Sequence, residues 1–541
     1  MPRAFPQGIG SRKNAPRRLA VVSLLALGVG AIIVAAWSLT RGGIGWDSWG
    51  DTQAALDARS VDSSWPLAQA YDEVPSTSEF YGVLLYQLAD GLHLLTTGAT
   101  EPLGPDERVT YLYQGAVTLV LSVVSVTALA VALAIAFRSV LAGTFAWSLT
   151  LATPLWLGMS HVDFKDLPVA AGITLITAGL VLSLANEARL KPTLFAALLA
   201  GSGGAIALAT RAGSLALIVL LALGTAAVAV GWRIGRHRPL AILPVLITSG
   251  SALIWALGFT WATNPIARIN MLQWLKDSAE VARSFTWELP PMRVAGTDVR
   301  GDDLPWWYVP AWLAAQLPLL TLVAVLGGLA VLIISLIRRR SVVSAGATIA
   351  LVPIVLQAVV LPIGILLGGA VIYDGLRHLL FIVPGLIAIA AIALAVLDQR
   401  ATEHRSRLSV VLPLGAIVIV AASLWASIRW TPYAYAFVNP IAGAEKDGRT
   451  WDLDYWGVSA KEGVERLHDL GYSPVYVEPS ASVGIPYGAA EGPTVGGAHT
   501  GLYVFFRWTR AADYGCTTIF TIKRDGHVLG EGARCPAGAP Q

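Results

Sequence analysis

Charge is scarce in this chain. Only 13% of its 541 residues are Asp, Glu, Lys or Arg, about half the roughly 25% that soluble domains carry. So few charges cannot coat a water-soluble globule, and with 55% hydrophobic residues the composition is that of a polytopic membrane protein. Cysteine is nearly absent, with Cys516 and Cys535 alone. No basic, aromatic-interleaved stretch occurs and the net charge is only +3, so nucleic acid is not an expected partner. No internal repeat of the kind common in transporters is visible.

Long apolar runs are what the chain has instead. They lie near 19–40, 115–137, 140–158, 167–187, 193–210, 213–231, 240–262, 309–337, 342–367, 378–397 and 408–427. The pattern predicts about eleven transmembrane helices, since roughly 20 apolar residues cross the hydrocarbon. The run at 193–210 is weakened by Gly201, Gly203 and Gly204. Basic residues set the expected orientation. A tail at 1–18 with Arg3, Arg12, Lys13, Arg17 and Arg18 predicts a cytoplasmic N-terminus. Every second turn is then basic: Arg138; Arg189 and Lys191; Arg233, Arg236 and Arg238; Arg338, Arg339 and Arg340; Arg400, Arg405 and Arg407. The segment 263–308 carries five basic residues on the predicted outer side and runs against the rule. The first run flows into Trp37 and Arg41 without a small-residue cleavage site and reads as an uncleaved anchor. The expected organisation is therefore a basic tail (1–18), a helical membrane domain (19–427) with outer loops 41–108, 159–166, 263–308 and 368–378, and an extracytoplasmic segment (428–541) in the plasma membrane's outer compartment.

Segment 428–541 reads as a small α/β domain. Ser459-Ala460-Lys461-Glu462 has a capping-box pattern opening a helix to about Leu470. Val475–Val477 and Leu502–Phe506 are strand-like, and Thr517–Ile522 and Val528–Leu529 flank a predicted hairpin turn. Cys516 and Cys535, in a compartment that permits oxidation, predict one disulfide. No nucleophile–base or metal-ligand spacing appears, so this domain reads as acceptor-facing or structural.

The chemistry concentrates elsewhere. His161, Asp163, Lys165 and Asp166 place four ionisable groups within eight residues between two apolar runs, where charge needs a protein-lined cavity or the membrane surface. The loop 41–108 opens with Trp46, Asp47, Ser48, Trp49 and Asp51, whose tryptophans suit an interface and whose acids could serve a hydroxyl as general base. Residues 80–95 have helical apolar spacing. Tyr373, Asp374, Arg377 and His378 precede the tenth run, and Arg211 lies at the end of the fifth. Arginine's planar fork suits phosphate. Acids facing cations at a lipid surface are the layout for sugar transfer from a lipid phosphate.

Several of these segments resemble the polytopic GT-C glycosyltransferases, of the family 39 type that includes protein O-mannosyltransferases and aminoarabinose transferases. Asp47 matches the family's first-loop acid, and His161, Lys165, Asp166 and Pro168 match its His-x-x-x-Lys-Asp-x-Pro loop. Tyr373-Asp374-Gly375-Leu376-Arg377-His378-Leu379-Leu380-Phe381 is the most specific likeness, with Leu304–Tyr308, Pro432–Asn439 and Asp454–Gly457 alongside. The chain departs from the family where Asp47 is followed by Ser48 rather than Glu, and where Asp163 stands for Asn.

The resemblance implies inverting transfer, with mannose as the first candidate, from a polyprenyl-phosphate donor to a hydroxyl on protein, glycan or lipid. Asp47, or alternatively Asp51, would be the base; Lys165, Arg211 and Arg377 would hold the phosphate; Asp166 and His378 would orient those cations. His161, Asp163, Tyr373 and Asp374 are further candidates. The loop 263–308, with Trp274, Trp287 and Trp306, would cover the pocket. A divalent ion near Asp47 and Asp166 is compatible but not required. The competing classes are a transporter or flippase of an anionic polyprenyl lipid and a non-catalytic membrane assembly protein.

Overall fold

In the computed structural model the described residues are 15–74, 80–185, 190–236, 242–284, 290–337, 348–443, 450–491 and 501–536. Arg3, Arg12, Lys13, Arg189, Arg238, Arg338, Arg339, Arg340 and Trp287, all used in the sequence reading, lie outside them.

Eight helices among the described residues are long and apolar enough to cross a membrane: Ala15–Arg41, Arg108–Ala136, Asp166–Ala185, Lys191–Leu208, Ser214–Trp232, Ile242–Thr263, Ile382–Glu403 and Leu408–Trp430. A ninth is a pair, Val140–Ala152 and Pro154–Val162, bent by 62°. The shorter apolar helices Leu319–Ser335 and Leu351–Leu367 occupy the two remaining places. The protein is thus a multi-pass membrane protein, and its segments fall where the apolar runs do.

Prolines decide where two runs break. Thr153 is extended (ψ 124°) because the ring of Pro154 disfavours helix in the residue before it. That break turns the last two turns of the pair, so that Val162 leads directly into the charged loop 163–165. Leu317 is likewise extended before Pro318 (ψ 133°), so the expected single span 309–337 is two helices, Tyr308–Gln316 and Leu319–Ile337. The glycine-rich run is not interrupted. A Cβ on Gly203 would stand 2.4 Å from the Gly172 carbonyl oxygen, and one on Gly204 2.1 Å from that of Ala252. These glycines let three helix backbones touch, which is how membrane helices gain packing without a hydrophobic drive.

The segment 263–308 folds as two helices, Pro265–Ile269 and Met271–Ser284, and a hairpin of β1 (Met292–Val294) and β2 (Thr297–Val299). Near the C-terminus, β3 (Val475–Glu478), β4 (Gly501–Phe506), β5 (Thr517–Arg524) and β6 (His527–Cys535) form one sheet in the order β3-β4-β6-β5. β3 runs parallel to β4 and the other pairs are antiparallel. The expected hairpin is β5–β6, and the Cys516–Cys535 disulfide is present. The helix Ser459–Asp469 spans the predicted range, but the capping box is wrong. Val458 holds the cap position without a side-chain bond, and Asp454 accepts from the Val458 and Ser459 N–H groups instead. Ser459 and Glu462 therefore sit inside the helix, where Glu462 accepts from the Tyr433 hydroxyl.

This sheet is packed onto the helical domain by a shared core. Val464, Leu467, Val475, Val504 and Phe506 cluster with Ile44, Leu85, Tyr111 and Phe164, and the Lys461 ammonium donates to the Arg41 carbonyl at 2.7 Å. The C-terminal segment thus closes over the same end of the bundle where Asp47 and Lys165 lie.

Candidate functional site

The site is assembled from chain segments that are remote in sequence. Asp47 precedes the helix Ser48–Ser60 and caps nothing with its side chain, leaving the carboxylate free to turn outward. Asp51 follows one helical turn later and so presents on the same face. Lys165 stands between them, its ammonium 3.0 Å from an Asp47 oxygen and 2.9 Å from one of Asp51. The same ammonium lies 4.4 Å from the centre of the Tyr81 ring. Asp163 acts locally, since one of its oxygens accepts from the Lys165 and Asp166 N–H groups, at 3.0 and 2.8 Å, and starts the helix Asp166–Ala185. Those bonds fix the backbone from which Lys165 projects.

Asp166, first in that helix, is ion-paired with Arg211. The loop carrying Arg211 is held by a backbone bridge to Tyr81, and a Cβ on Gly82 would stand 1.7 Å from the Ala209 carbonyl oxygen, so only glycine lets the two strands of chain approach. Arg377 is different. Asp47, Asp166 and Asp374 surround it at 3.7, 3.8 and 3.8 Å, all outside hydrogen-bonding range. What holds its guanidinium is stacking, 4.5 Å from the Tyr373 ring and 4.5 Å from the Trp456 ring. Its side chain is only 4% exposed, and its Nε has no hydrogen-bond partner among the described residues. A buried guanidinium with an unused donor is poised for an anion.

Electrostatics divides the two acids. Burial opposes the charge of Asp47, but Lys165 and Arg377 outweigh it and hold the carboxyl well below the usual carboxylate range. Burial pushes Asp51 up to about 6, helped by the negative charge of Asp47 and opposed by Lys165. Burial, reinforced by Asp166, likewise pushes Asp163 up to about 7. Asp47 is also the more accessible, with its side chain 30% exposed against 9% for Asp51. Burial drives His378 well below the ordinary imidazole range, so it is a neutral neighbour of the cations; both its ring nitrogens lack hydrogen-bond partners among the described residues.

A groove of about 1530 Å³, open mouth included, runs from this cluster along the helices. Tyr81, Asp166, Arg211, Tyr373 and His378 form its polar end, and Leu217, Leu220, Val281, Ile365, Val371 and Phe381 its apolar length. Ser278, Val281 and Ala282 of the helix Met271–Ser284 make one wall. Of the loop's tryptophans, Trp274 is buried in a separate core and Trp306 is 85% exposed, and Trp287 lies outside the described residues.

Asp47, Asp51, Lys165, Asp166, Arg211, Tyr373, Asp374, Arg377 and His378 are therefore brought together. His161 is not among them, because its Nδ1 is bonded at 3.1 Å to the Leu157 carbonyl within its own helix. Four contributors were not picked out as site residues. Tyr81 stacks on Lys165 and, at 5.6 Å, on Arg211. Trp456 stacks on Arg377, and Arg507 pairs with Asp374 at 2.6 Å. Trp46, read as an interface anchor, packs instead on Phe506 and Trp508. The motif around Asp454–Gly457 was a usable signal for Trp456; an arginine directly after an apolar strand was the only one for Arg507. The C-terminal segment thus reaches the cluster itself.

A divalent ion does not fit these residues. Among the described residues no group of three or more His, Cys, Asp or Glu could hold one, and the Asp47 and Asp166 oxygens already face Lys165, Arg211 and Arg377.

No family model and no curated protein sequence matches the chain. Among solved structures it is similar to ArnT from Cupriavidus metallidurans in the apo state, with TM-score 0.51 and 12% identity over 94% of this chain and 97% of that one. The same protein bound to undecaprenyl phosphate gives TM-score 0.48 and 11% identity over 94% and 97%. The apo Archaeoglobus fulgidus oligosaccharyltransferase gives 0.46 and 12% over 86% of this chain and 64% of that one. At such identity the likeness speaks for architecture, and the architecture is a GT-C type helical membrane fold with a small C-terminal sheet region.

Proposed function

We propose that this protein is an integral membrane glycosyltransferase that moves a sugar from a polyprenyl-phosphate donor to a hydroxyl acceptor on the outer face of the cytoplasmic membrane, with inversion. The observation that carries the reading is the convergence of Lys165, Arg211 and Arg377 beside an ionised Asp47, with Arg211 and its partner Asp166 lining the polar end of an apolar groove. The groove suits a polyprenyl chain, and the cations suit its phosphate. ArnT from Cupriavidus metallidurans has been solved bound to undecaprenyl phosphate, which agrees with that assignment.

In this mechanism the donor phosphate displaces carboxylates from the cations. Lys165, drawn to the phosphate, releases Asp47, and burial then raises the basicity of the freed carboxylate. Asp47 takes the proton of the acceptor hydroxyl as its oxygen attacks the anomeric carbon. The bond from that carbon to the phosphate oxygen breaks, and the lipid phosphate leaves with the electron pair. Lys165, Arg211 and Arg377 stabilise the charge it gathers, a contribution of a few kcal/mol per well-placed donor. Asp51 stays with Lys165, and Asp166 orients Arg211. The N-terminus is cytoplasmic, and segment 428–541 is extracytoplasmic, consistent with its disulfide.

Turnover tests this reading. Purified protein in lipid is given polyprenyl-phosphate mannose and other polyprenyl-phosphate sugars, each with a hydroxyl acceptor mixture, and loss of lipid-linked sugar is followed. Wild type consumes at least one donor, while Asp47→Asn binds it and consumes none. Consumption of no donor, or equal consumption by Asp47→Asn, overturns the reading; a transporter or assembly protein would be indifferent to Asp47.

A further inference from the structure

Arg507 reaches the cluster from the C-terminal sheet and meets a residue that competes for Arg377. It follows β4 directly, and its Nη2 lies 2.6 Å from Oδ1 of Asp374, with the two side chains 5% and 2% exposed. Its Nη1 donates to the Tyr455 carbonyl at 3.3 Å, and its guanidinium stacks 4.1 Å from the Trp508 ring and 5.2 Å from that of Trp46. Both members of the pair have left-handed backbone, Arg507 at φ 59° and Asp374 at φ 58°. Residues other than glycine, asparagine and aspartate seldom adopt that region, so the Arg507 conformation has a cost that the surrounding packing must offset. Strain at Arg507, in a pair buried on both sides, marks the pair as a contact the fold is built to make.

The second oxygen of Asp374 faces Arg377 at 3.8 Å. A buried carboxylate without a cation is strongly unfavourable, so without Arg507 the nearby Arg377 would be drawn onto Asp374. The distance to close is about 1 Å, and the product would be a charge-assisted pair. The Arg377 donors would then be claimed by Asp374 rather than left for an anion. We infer that Arg507 is a positioning residue which, by holding Asp374, keeps Arg377 open for the lipid phosphate, and that the C-terminal domain is in this way part of the donor site. The inference rests on the proposed function, because it is the phosphate that Arg377 is kept open for.

The experiment is a native mass-spectrometry titration of the full-length protein in detergent with undecaprenyl phosphate, using wild type, Arg507→Gln, Asp374→Asn and the double variant. Arg507→Gln should weaken binding by about tenfold or more, the equivalent of one charge-assisted hydrogen bond. The double variant, whose neutral amide in place of the Asp374 carboxylate cannot capture Arg377, should bind within about twofold of Asp374→Asn alone. A purely structural Arg507 would lower the folded fraction and leave the affinity of folded molecules unchanged. Wild-type affinity in folded Arg507→Gln therefore overturns the inference alone, as does a double variant about tenfold weaker than Asp374→Asn. If Arg507→Gln does not fold, that second comparison decides by itself. Failure of wild type to bind the lipid removes the proposed function, and the inference with it.

Discussion

Replacing Lys165 by Gln should do two separable things. The ammonium lies about 3 Å from both Asp47 and Asp51, with its side chain 9% exposed. At an effective dielectric constant near 20, each contact is worth about 5 kcal/mol of gross attraction, most of it offset by desolvation. Removing one member of such a buried network costs about 3–5 kcal/mol, because the partners are left uncompensated. That is a large share of the roughly 5–15 kcal/mol by which folded proteins are stable, so the melting temperature should drop sharply. The second effect is on the base. Arg377, at 3.7 Å, and the weaker pull of Arg507 are left to oppose the burial of Asp47, so the Asp47 pKa rises. In reconstituted membranes kcat/KM, which reports the donor-free enzyme, should show no acid limb from Asp47 in wild type. The Lys165→Gln variant should lose about tenfold per pH unit below its new pKa. A variant whose kcat/KM is as insensitive to acid as that of wild type, or whose melting temperature is unchanged, would refute the reasoning.

Two further perturbations test other parts of the site. Asp51 has its pKa raised from 3.8 to about 6, so between these values the folded protein holds a proton that the unfolded chain has released. Stability should therefore fall as pH rises through that window, by up to about 3 kcal/mol; Asp51→Asn should flatten this part of the melting-temperature profile, and an identical slope in the variant would contradict the assignment. Gly82→Ala would put a Cβ 1.7 Å from the Ala209 oxygen, separating Tyr81 from the loop of Arg211. We expect about 1–3 kcal/mol of destabilisation by thermal melting, with weaker undecaprenyl phosphate binding, and an unchanged melting temperature would show that the two segments can part freely.

The membrane helices were legible because their signal is local. Each apolar run is long enough to be recognised alone, and Pro154 and Pro318 mark breaks by the rule that disfavours helix before proline. The span expected at 193–210 is present, although its glycines weakened the signal. Gly203 and Gly204 weaken a helix in isolation, and only the approach of Gly172 and Ala252 shows that they serve contact. Asp47, Lys165, Arg211 and Arg377 could be singled out because charge beside an apolar run has few innocent explanations. Arg507 could not, since its meaning lies in a partner 133 residues away on a strand–loop junction that reads as ordinary surface. The capping box misled for a related reason: Ser459 has the right neighbours, but Asp454 reaches the Val458 and Ser459 N–H groups from outside the helix.

Lys165, Arg211 and Arg377 are the proposed phosphate site, in which Lys165 and Arg211 hold carboxylates in the phosphate's place and Arg377 stands open. A structure of the protein with undecaprenyl phosphate tests it directly. Phosphate oxygens should lie about 2.7–2.9 Å from the nitrogens of these three residues, with the chain along the groove beside Leu217 and Ile365 and Lys165 withdrawn from Asp47. Phosphate bound elsewhere, or bound here with the Lys165–Asp47 contact intact, would contradict it.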